Sequence, residues 1–215
     1  YVARWIETQA ADAPRAMERG GGLAIVARAR LPLEGAEESE IVCFRSADGG
    51  PEHCAVLIGA PPASEPVLTR MHSGCFTGDV LGSLRCDCGA QLRAAIAAIA
   101  KAGRGIVLYL AQEGRGIGLT NKLRAYGLQD QGLDTFEANE RLGFAADERH
   151  YGVAARMLAL LGYGAVRLMT NNPAKIAGLE AEGIAVTARV RHAFAENKHN
   201  SAYLRTKAEK AGHLF

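Results

Sequence analysis

The N-terminal part of the chain is dominated by short runs of apolar and β-branched residues. Glycine, proline and acidic residues separate these runs, and this pattern is typical of strands joined by turns. The runs are GGLAIVARARL, EIVCFRS, EHCAVLIGA and EPVLTRMHS. They predict an antiparallel or mixed sheet at the start of the fold.

From Gln91 onward, helical and strand patterns alternate. The segment from Gln91 to Ala102 has apolar side chains at helical spacing, and Gly103 ends it. The segment GIVLYL predicts a buried strand, which a glycine-rich loop follows. Further helices are predicted from Leu119 through TNKLRAYGLQDQG, near Tyr151 to Leu161, after Pro173 and near Ser201 to Gly212, with strands at AVRLMT and IAVTARV. The alternation predicts an α/β (mixed α+β) fold in which helices flank a layered mixed sheet.

Length and charge narrow the class of protein. With 215 residues, of which 48% are hydrophobic, the chain can bury a large core. We expect one domain over residues 1–215, with a β-rich part at 1–66 and a core at 67–215. The formal net charge of +2 is far below that of most nucleic-acid-binding proteins, and no apolar run is long enough to span a membrane. We therefore expect neither nucleic acid nor a membrane as a partner.

The cysteine count indicates the compartment. Five cysteines are an odd number in a chain too large to need disulfides, and no signal peptide is visible, which together predict a cytoplasmic protein. The sequence begins with Tyr1 rather than methionine. We therefore expect that the native N-terminus is missing.

Three of the cysteines, Cys75, Cys86 and Cys88, lie within the stretch MHSGCFTGDVLGSLRCDCG. One residue separates Cys86 from Cys88, so their sulfurs can face the same side of a tight turn, and a loop can bring Cys75 to them. Structural zinc sites have four protein ligands, whereas catalytic zinc sites keep one position for water. The three thiols therefore predict one zinc ion per chain, held by three cysteines and a water.

Two other interpretations of the cysteines stay open. Cys43, Cys54 or His72 could supply a fourth ligand and close a structural zinc site. Alternatively, the three cysteines could be buried thiols that pack as small hydrophobic side chains. The polar, glycine-containing sequence RCDCG is unlike a core strand, which favours a metal site over buried thiols.

Four sequence blocks resemble the GTP cyclohydrolase II family. They are HSGCFTGDVLGSLRCDCG, QEGRGIGLTNKLRAYGLQDQG, DTFEANERLGFAADER and LMTNNPAKI, and the similarity runs from Val67 to the C-terminal KAEKAGHLF. The resemblance implies the first enzyme of riboflavin synthesis, which converts GTP to formate, diphosphate and a diamino-ribosylaminopyrimidinone phosphate. It also implies zinc, Mg²⁺ with the GTP phosphates, and a homodimer.

The resemblance implies roles for individual residues as well. It assigns Asp147 as a general base, Arg149 as a nucleophile, and Tyr126 as a neighbour of the guanine base and the zinc-bound water. The residues implied to contact GTP are Arg70, Met71, His72, Ser73, Gly74, Gln91, Glu113, Gly114, Arg115, Thr135, Thr170 and Lys175. The glycine-rich EGRGIG loop between a strand and a helix fits close backbone approach to a phosphate.

Arg149 has a second interpretation. The pKa of a guanidinium group lies above ~12, so deprotonating it for covalent attack is costly. The reaction would also need Arg149 if its guanidinium clamped the α-phosphate while negative charge develops, without any covalent attack. Asp147 would then orient Arg149. In a purely structural alternative, the two residues form a salt bridge at the start of a helix.

Two positions depart from the family pattern. Gly74 stands where the family commonly has glutamate, and Ala111 stands where it commonly has arginine. Loss of both groups together suggests the loss of a mutually satisfied ion pair. A related enzyme with another purine-nucleotide substrate or a formylated product therefore stays open. A separate alternative, from a different class of protein, is a zinc-stabilised nucleotide-binding module without turnover.

Overall fold

The computed structural model describes residues 22–145, 147–194, 197 and 199–212. The strands are β1 (Leu23–Arg30), β2 (Ser39–Ser46), β3 (His53–Ile58), β4 (Val67–Ser73), β5 (Gly105–Leu110), β6 (Ala165–Met169) and β7 (Ala185–Val190). The α-helices are α1 (Phe76–Asp79), α2 (Cys88–Lys101), α3 (Gly118–Asp130), α4 (Thr135–Arg141), α5 (Gly152–Leu160), α6 (Pro173–Glu180) and α7 (Ser201–Ala211). A 3₁₀ turn spans Glu113–Gly116.

All seven strands form one mixed sheet in the order β1-β2-β3-β5-β4-β6-β7. Neighbours from β1 to β5 pair antiparallel, and neighbours from β5 to β7 pair parallel. The sheet is continuous across residue 66, because β3 and β4 both pair with β5. The predicted mixed sheet with flanking helices is confirmed.

The described parts of the predicted elements match the structure to within three residues, and the largest difference is at the start of α2, which was predicted at Gln91 and lies at Cys88. Residues 1–21, which include the first glycine of the first predicted run, lie outside the described residues. Two helices were not predicted, α1 and α4. Helix α4 nevertheless has a clear start signal, since Asp134 and Glu137 form a reciprocal capping box.

Hydrophobic side chains cover both faces of the sheet. On one face, helix α5 packs Met157 and Leu158 against Phe44 and Leu108, all of them buried. On the other face, Ile99 of α2 packs among strand residues such as Val107. Helices on both faces explain why the central strands β4 and β5 are buried along almost their whole length. No helix in the described ranges has both the length and the apolar character needed to cross a membrane.

The parallel part of the sheet determines where polar residues gather. Strands β4, β5 and β6 run parallel, so the loops after Ser73, Leu110 and Met169 leave the sheet at the same edge. Ligands of open α/β sheets usually bind at this carboxyl edge of the strands. The chain therefore brings the cysteine loop, the EGRG turn and the TNNP segment to one place.

Leu158 tests the packing of α5 against the sheet. Its side chain is fully buried, whereas Leu160 on the same helix is 43% exposed. Leu158→Ala should lower the free energy of unfolding by about 2–5 kcal/mol, because it leaves a cavity in the core. Leu160→Ala is the matched control and should change it by less than about 0.5 kcal/mol. Equal losses in urea denaturation would contradict the described packing.

Candidate functional site

A cavity open to solvent lies at the carboxyl edge of the parallel strands, and its interior and open mouth together span about 1150 Å³. All the predicted site residues except Met71 and Asp147 line it. Residues that lie far apart in the sequence therefore share one pocket.

Met71 and Asp147 do not line the cavity, but each forms a hydrogen bond with a residue that does. The Met71 side chain is fully buried in the core on one face of the sheet, and only its carbonyl oxygen reaches toward the site, where it accepts a 2.7 Å hydrogen bond from Lys175 Nζ. Asp147 accepts from Arg149 at both carboxylate oxygens, with 2.8 Å from Nε to Oδ1. The structure thus makes Asp147 a partner of Arg149.

The three cysteines of the predicted metal site converge. Cys75 precedes α1, Cys88 begins α2, and Cys86 lies in the loop between them. Their sulfurs all lie within 4.8 Å of one another, and those of Cys75 and Cys86 are 3.7 Å apart. Tetrahedral coordination with zinc–sulfur bonds of 2.3 Å needs sulfur–sulfur distances of about 3.8 Å. The cluster could therefore hold a metal ion, and zinc fits its spacing and chemistry.

Two glycines make this cluster possible. A Cβ atom at Gly78 would lie 2.8 Å from the Cys86 sulfur and 3.1 Å from the Cys75 sulfur. A Cβ atom at Gly89 would lie 2.1 Å from the Gly78 carbonyl oxygen. Only hydrogen side chains leave room for α1 to approach the start of α2, so the glycines preserve the space among the sulfurs.

The candidates for a fourth ligand lie elsewhere. Cys43 and Cys54 face each other across β2 and β3 and do not line the cavity. His72 Nε2 lies 3.0 Å from both carboxylate oxygens of Asp79. Among the described residues, the cluster of possible metal ligands contains only the three cysteines. This arrangement favours an open coordination position over a closed structural site.

The protonation of the thiols depends on their mutual contacts. Hydrogen bonds from Cys86 and Cys88, with a further one from Lys122, hold the pKa of Cys75 far below its usual value. The pKa of Cys86 is raised to about 11, chiefly because its thiol bonds to Cys75. Lys122 and the neighbouring thiols therefore favour a thiolate at Cys75, and a bound cation would be needed to ionise all three.

Lys122 and Glu113 form a buried pair beside the sulfurs. Lys122 Nζ lies 2.7 Å from Glu113 Oε1 and 3.1 Å from the Cys75 sulfur. Burial by itself would lower the pKa of Lys122, but its bonds to Glu113 and Cys75 outweigh burial and raise the pKa. Sequence reasoning missed Lys122. The available signal was its position four residues before Tyr126, which puts both on one face of α3.

Asp79 is a second polar residue that sequence reasoning missed. This buried carboxylate accepts a 2.9 Å hydrogen bond from the Cys75 amide and a 3.0 Å hydrogen bond from the Tyr109 hydroxyl, and it pairs with His72. Burial lowers the pKa of His72 despite this pairing. Asp79 therefore ties the cysteine turn to two aromatic side chains of the sheet, and its place in CFTGD was the only available hint.

Tyr126 lies next to the metal cluster. Its hydroxyl is 3.2 Å from the Thr77 hydroxyl, which is itself 3.7 Å from the Cys75 sulfur. The Arg85 guanidinium lies over the Tyr126 ring, 4.5 Å from its centroid, and forms an ion pair with Asp130. Burial raises the pKa of Tyr126, so the phenol stays protonated at neutral pH. The phenol is thus held as a neutral hydrogen-bonding group near the sulfurs.

Cationic side chains form another part of the same wall. Arg70, Arg115, Arg149 and Lys175 all line the cavity. Arg70 is almost fully buried, which lowers its pKa to about 10 and still leaves it charged at neutral pH. Such a group of buried cations suits an anionic ligand, especially phosphate oxygens.

Some of these groups lack protein partners. Among the described residues, the buried side-chain nitrogen or oxygen atoms without a hydrogen-bond partner are Arg70 Nε, His72 Nδ1 and Arg115 Nη1. All three belong to the cavity wall. Leaving a buried polar atom unpaired costs about 1–3 kcal/mol, so their clustering indicates a polar ligand.

Arg115 also carries backbone strain. Its φ angle is 61°, in the left-handed region that residues other than glycine rarely adopt. Its guanidinium stacks over the Phe136 ring at 4.4 Å from the centroid, and its carbonyl accepts from the Glu148 amide at 3.0 Å. Strained residues of this kind concentrate at ligand sites.

The charge of Arg149 is well defined. Burial alone would lower the pKa of Arg149, but the hydrogen bonds and charge of Asp147 raise it above the usual arginine value. Conversely, burial would raise the pKa of Asp147, but Arg149 holds it below the usual range. The pair is therefore fully ionised at neutral pH.

The two departures from the family pattern differ in position. Gly74 lines the cavity, and a Cβ atom there would lie 3.0 Å from the Tyr109 hydroxyl. Ala111 is exposed and does not line the cavity, and its amide donates a 3.1 Å hydrogen bond to His53 Nδ1. Only Gly74 therefore changes the wall directly.

Several other residues that line the cavity were not predicted as site residues. Asn172 accepts from the Ala174 amide at 2.9 Å and so caps α6 beside Lys175. Gln91, which was predicted, bonds to Arg70 and lies one turn into α2. Additional wall residues are Gln112, Gln129, Asn139, Asn171, His192 and Tyr203. Asparagine and glutamine side chains are common in ordinary loops, so the sequence alone did not single out these wall residues.

Comparison with known proteins identifies a matching family and several similar proteins. The family model described as GTP cyclohydrolase II matches residues 24–191. A GTP cyclohydrolase-2 from Azospirillum brasilense is 64% identical over 190 residues, which are 88% of this chain and 49% of that protein. The chain therefore spans about half the length of this relative.

Two further relatives differ in length. A GTP cyclohydrolase-2 from Azotobacter vinelandii is 61% identical over 166 residues, which cover 77% of this chain and 80% of that protein. A riboflavin biosynthesis protein RibBA from Bacillus mycoides is 58% identical over 164 residues, which cover 76% of this chain and 41% of that protein. With the fold, the sulfur cluster and these matches together, the chain belongs to the GTP cyclohydrolase II family.

Proposed function

We propose that this chain hydrolyses GTP to formate, diphosphate and a diamino-ribosylaminopyrimidinone phosphate, the first step of riboflavin synthesis. Membership of the family and the names of the relatives support this reaction. The observation that carries the proposal is that a three-sulfur cluster and four buried or half-buried cations line one cavity. Ring hydrolysis needs the metal ion that the sulfurs would hold, and binding of a triphosphate needs the cations.

Cys75, Cys86 and Cys88 would hold the zinc ion as thiolates. When bound, zinc supplies Lewis-acid activation of water, which suits two hydrolytic attacks on C8 of guanine. The Tyr126 phenol lies beside this cluster and can hydrogen-bond to the base or to solvent. Gly78 keeps the space next to the sulfurs free. This end of the cavity is therefore assigned to the purine ring.

The cationic part of the wall is assigned to the phosphates. Arg70, Arg115 and Lys175 present charges there, and the EGRG turn brings backbone close to the ligand. The other predicted GTP contacts that line the cavity are His72, Ser73, Gly74, Gln91, Glu113, Gly114, Thr135 and Thr170. We propose that Mg²⁺ arrives with the triphosphate, because phosphate oxygens are its usual ligands.

We propose that Arg149 clamps the α-phosphate and does not attack it. Asp147 binds the guanidinium through both oxygens and keeps it charged, and a charged guanidinium has no lone pair for nucleophilic attack. Asp147 then orients Arg149, since both its oxygens are already engaged. Negative charge that develops as diphosphate leaves would be stabilised by this fixed cation.

One assay tests the proposed reaction. The purified chain is incubated with GTP, zinc and Mg²⁺, and formate, diphosphate and the pyrimidine product are quantified. Release of all three in equal amounts is expected. Diphosphate without formate, or a formylated product, would favour the related enzyme with an altered outcome. Bound zinc without any turnover would favour the nucleotide-binding module.

Removal of one sulfur should abolish the ring chemistry. In Cys86→Ser, formate release should fall below detection and bound zinc should drop from about one ion per chain, because structural and catalytic zinc need their full ligand sets. Metal analysis and formate quantification check both effects. Cys43→Ser is the control, since Cys43 lies outside the cavity and should leave both unchanged. Full formate release by Cys86→Ser would contradict the assigned ligand.

The role of Arg149 can be tested by trapping. The clamp predicts that GTP turnover stopped with denaturant leaves no nucleotide covalently attached, as measured by intact-protein mass. Arg149→Gln should lower kcat/KM by about 10²–10³-fold, because a charge-stabilising donor is lost. Arg156→Gln, on the face of α5 exposed to solvent, is the control and should keep full activity. A guanylyl adduct on Arg149 would overturn the clamp.

We propose a homodimer in the cytoplasm. Exposed apolar side chains concentrate on residues 76–84 and on α3, including Leu81 and Leu123 at 65% and 51% exposure. Such a patch favours docking of a second copy. None of the five cysteines, all of which lie in the described part of the chain, forms a disulfide bond, which fits a reducing compartment.

The dimer has its own test. Light scattering should give twice the chain mass for the unsubstituted protein, and Leu123→Glu should shift it toward the monomer because it places charge in the patch. Val26→Glu replaces an equally exposed residue on β1, outside the patch, and should leave the dimer intact. A monomeric unsubstituted protein would contradict the dimer.

A further inference from the structure

Lys122 lies between the sulfur cluster and the EGRG turn, and the proposed function gives it no role. Its side chain is only 11% exposed, and its ammonium is 3.1 Å from the Cys75 sulfur and 2.7 Å from Glu113 Oε1. A long cationic side chain buried to this extent needs partners that repay the loss of hydration. Here the partners are a carboxylate and a prospective metal ligand.

These contacts close a ring around the cysteine turn. Glu113 accepts the Phe76 amide at 2.6 Å through Oε2, while its Oε1 accepts from Lys122. Lys122 in turn donates to the sulfur of Cys75, the residue before Phe76. The pair therefore holds both the backbone and the sulfur of the same turn, from outside the chain segment that carries the cysteines.

The positive charge of Lys122 also suits a metal-loaded cluster. Three thiolates around a divalent cation leave one net negative charge on the cluster. The ammonium lies 3.1 Å from the Cys75 sulfur and 2.7 Å from Glu113 Oε1. Arg85, another cation of the wall, is already paired with Asp130 over the Tyr126 ring. Lys122 is thus placed to offset the excess negative charge at Cys75.

We infer that Lys122 is a positioning residue of the metal site, which holds the Cys75 sulfur in place and, with Glu113, sets how tightly the three cysteines retain zinc. This inference rests on the proposed zinc site. Groups that hydrogen-bond to metal ligands typically change metal affinity by about 10–100-fold when they are removed. Glu113 accordingly serves the metal turn in addition to any contact with the nucleotide.

The test measures zinc affinity without using activity. Zinc is removed from the chain, and its affinity is measured by competition with a chromophoric chelator for the unsubstituted chain, Lys122→Met and Lys122→Arg. Lys122→Met should bind zinc about 10–100-fold more weakly. Lys122→Arg should recover most of the loss, because it keeps a cationic donor. Lys101→Met removes an exposed lysine at the end of α2 and should bind as the unsubstituted chain does.

A structural role must be separated from a role toward the metal. Thermal unfolding of the metal-free proteins should be the same for the unsubstituted chain and Lys122→Met. If Lys122→Met unfolds earlier, Lys122→Gln replaces it, since glutamine keeps a hydrogen-bond donor without the charge. Affinity equal to that of the unsubstituted chain in whichever of the two folds normally would overturn the inference. Loss of affinity without recovery in Lys122→Arg would overturn it as well.

The outcomes also separate this inference from the proposed function. Cobalt replaces zinc in the unsubstituted chain, and sulfur-to-cobalt charge-transfer absorption reports whether thiolates bind the metal. If the unsubstituted chain shows no such absorption, the zinc site and the proposed function fail together. If the absorption is present and Lys122→Met retains zinc as tightly, only the role of Lys122 fails.

Discussion

The approach of α1 to the first turn of α2 is the constraint on which the site depends. Gly78 and Gly89 meet at a distance that no other residue type permits, and their contact brings the sulfurs of Cys75, Cys86 and Cys88 to within 4.8 Å of one another. The turn at Cys75 is then held from two sides, by Asp79 through its amide and by Lys122 through its sulfur. A small backbone contact thereby determines where a metal ion can bind.

The cavity wall carries two groups of ionisable side chains. The three thiols lie beside the Lys122–Glu113 pair, and the cations Arg70, Arg115, Arg149 and Lys175 line the same cavity. Each group is held by partners that do not line the cavity, as Asp79 does for the Cys75 turn and Asp147 does for Arg149. Arg70 Nε and Arg115 Nη1 remain unpaired, which leaves donors ready for an anion. Such pre-arranged charges need little rearrangement when a ligand binds, which is how electrostatic catalysis is most effective.

The sequence predicted the strands and the long helices well, because their apolar periodicities are strong and their ends carry glycine or proline. Helix α1 escaped prediction because it has only four residues and no capping side chain. The cysteines and the GTP-binding set could be proposed from motifs and from the family resemblance. Lys122 and Asp79 could not, since their importance comes from contacts across the fold that local patterns do not encode. Nor could spacing show that the Met71 side chain lies in the core while only its carbonyl faces the site.

In the proposed zinc site, three sulfurs bind the metal and one coordination position is open to water. X-ray absorption at the zinc edge, on the zinc-loaded chain without nucleotide, measures these neighbours. Three sulfur neighbours at about 2.3 Å and one lighter oxygen neighbour are expected. Four sulfur neighbours, a histidine in the fourth position, or a reduced chain that retains no zinc would contradict it.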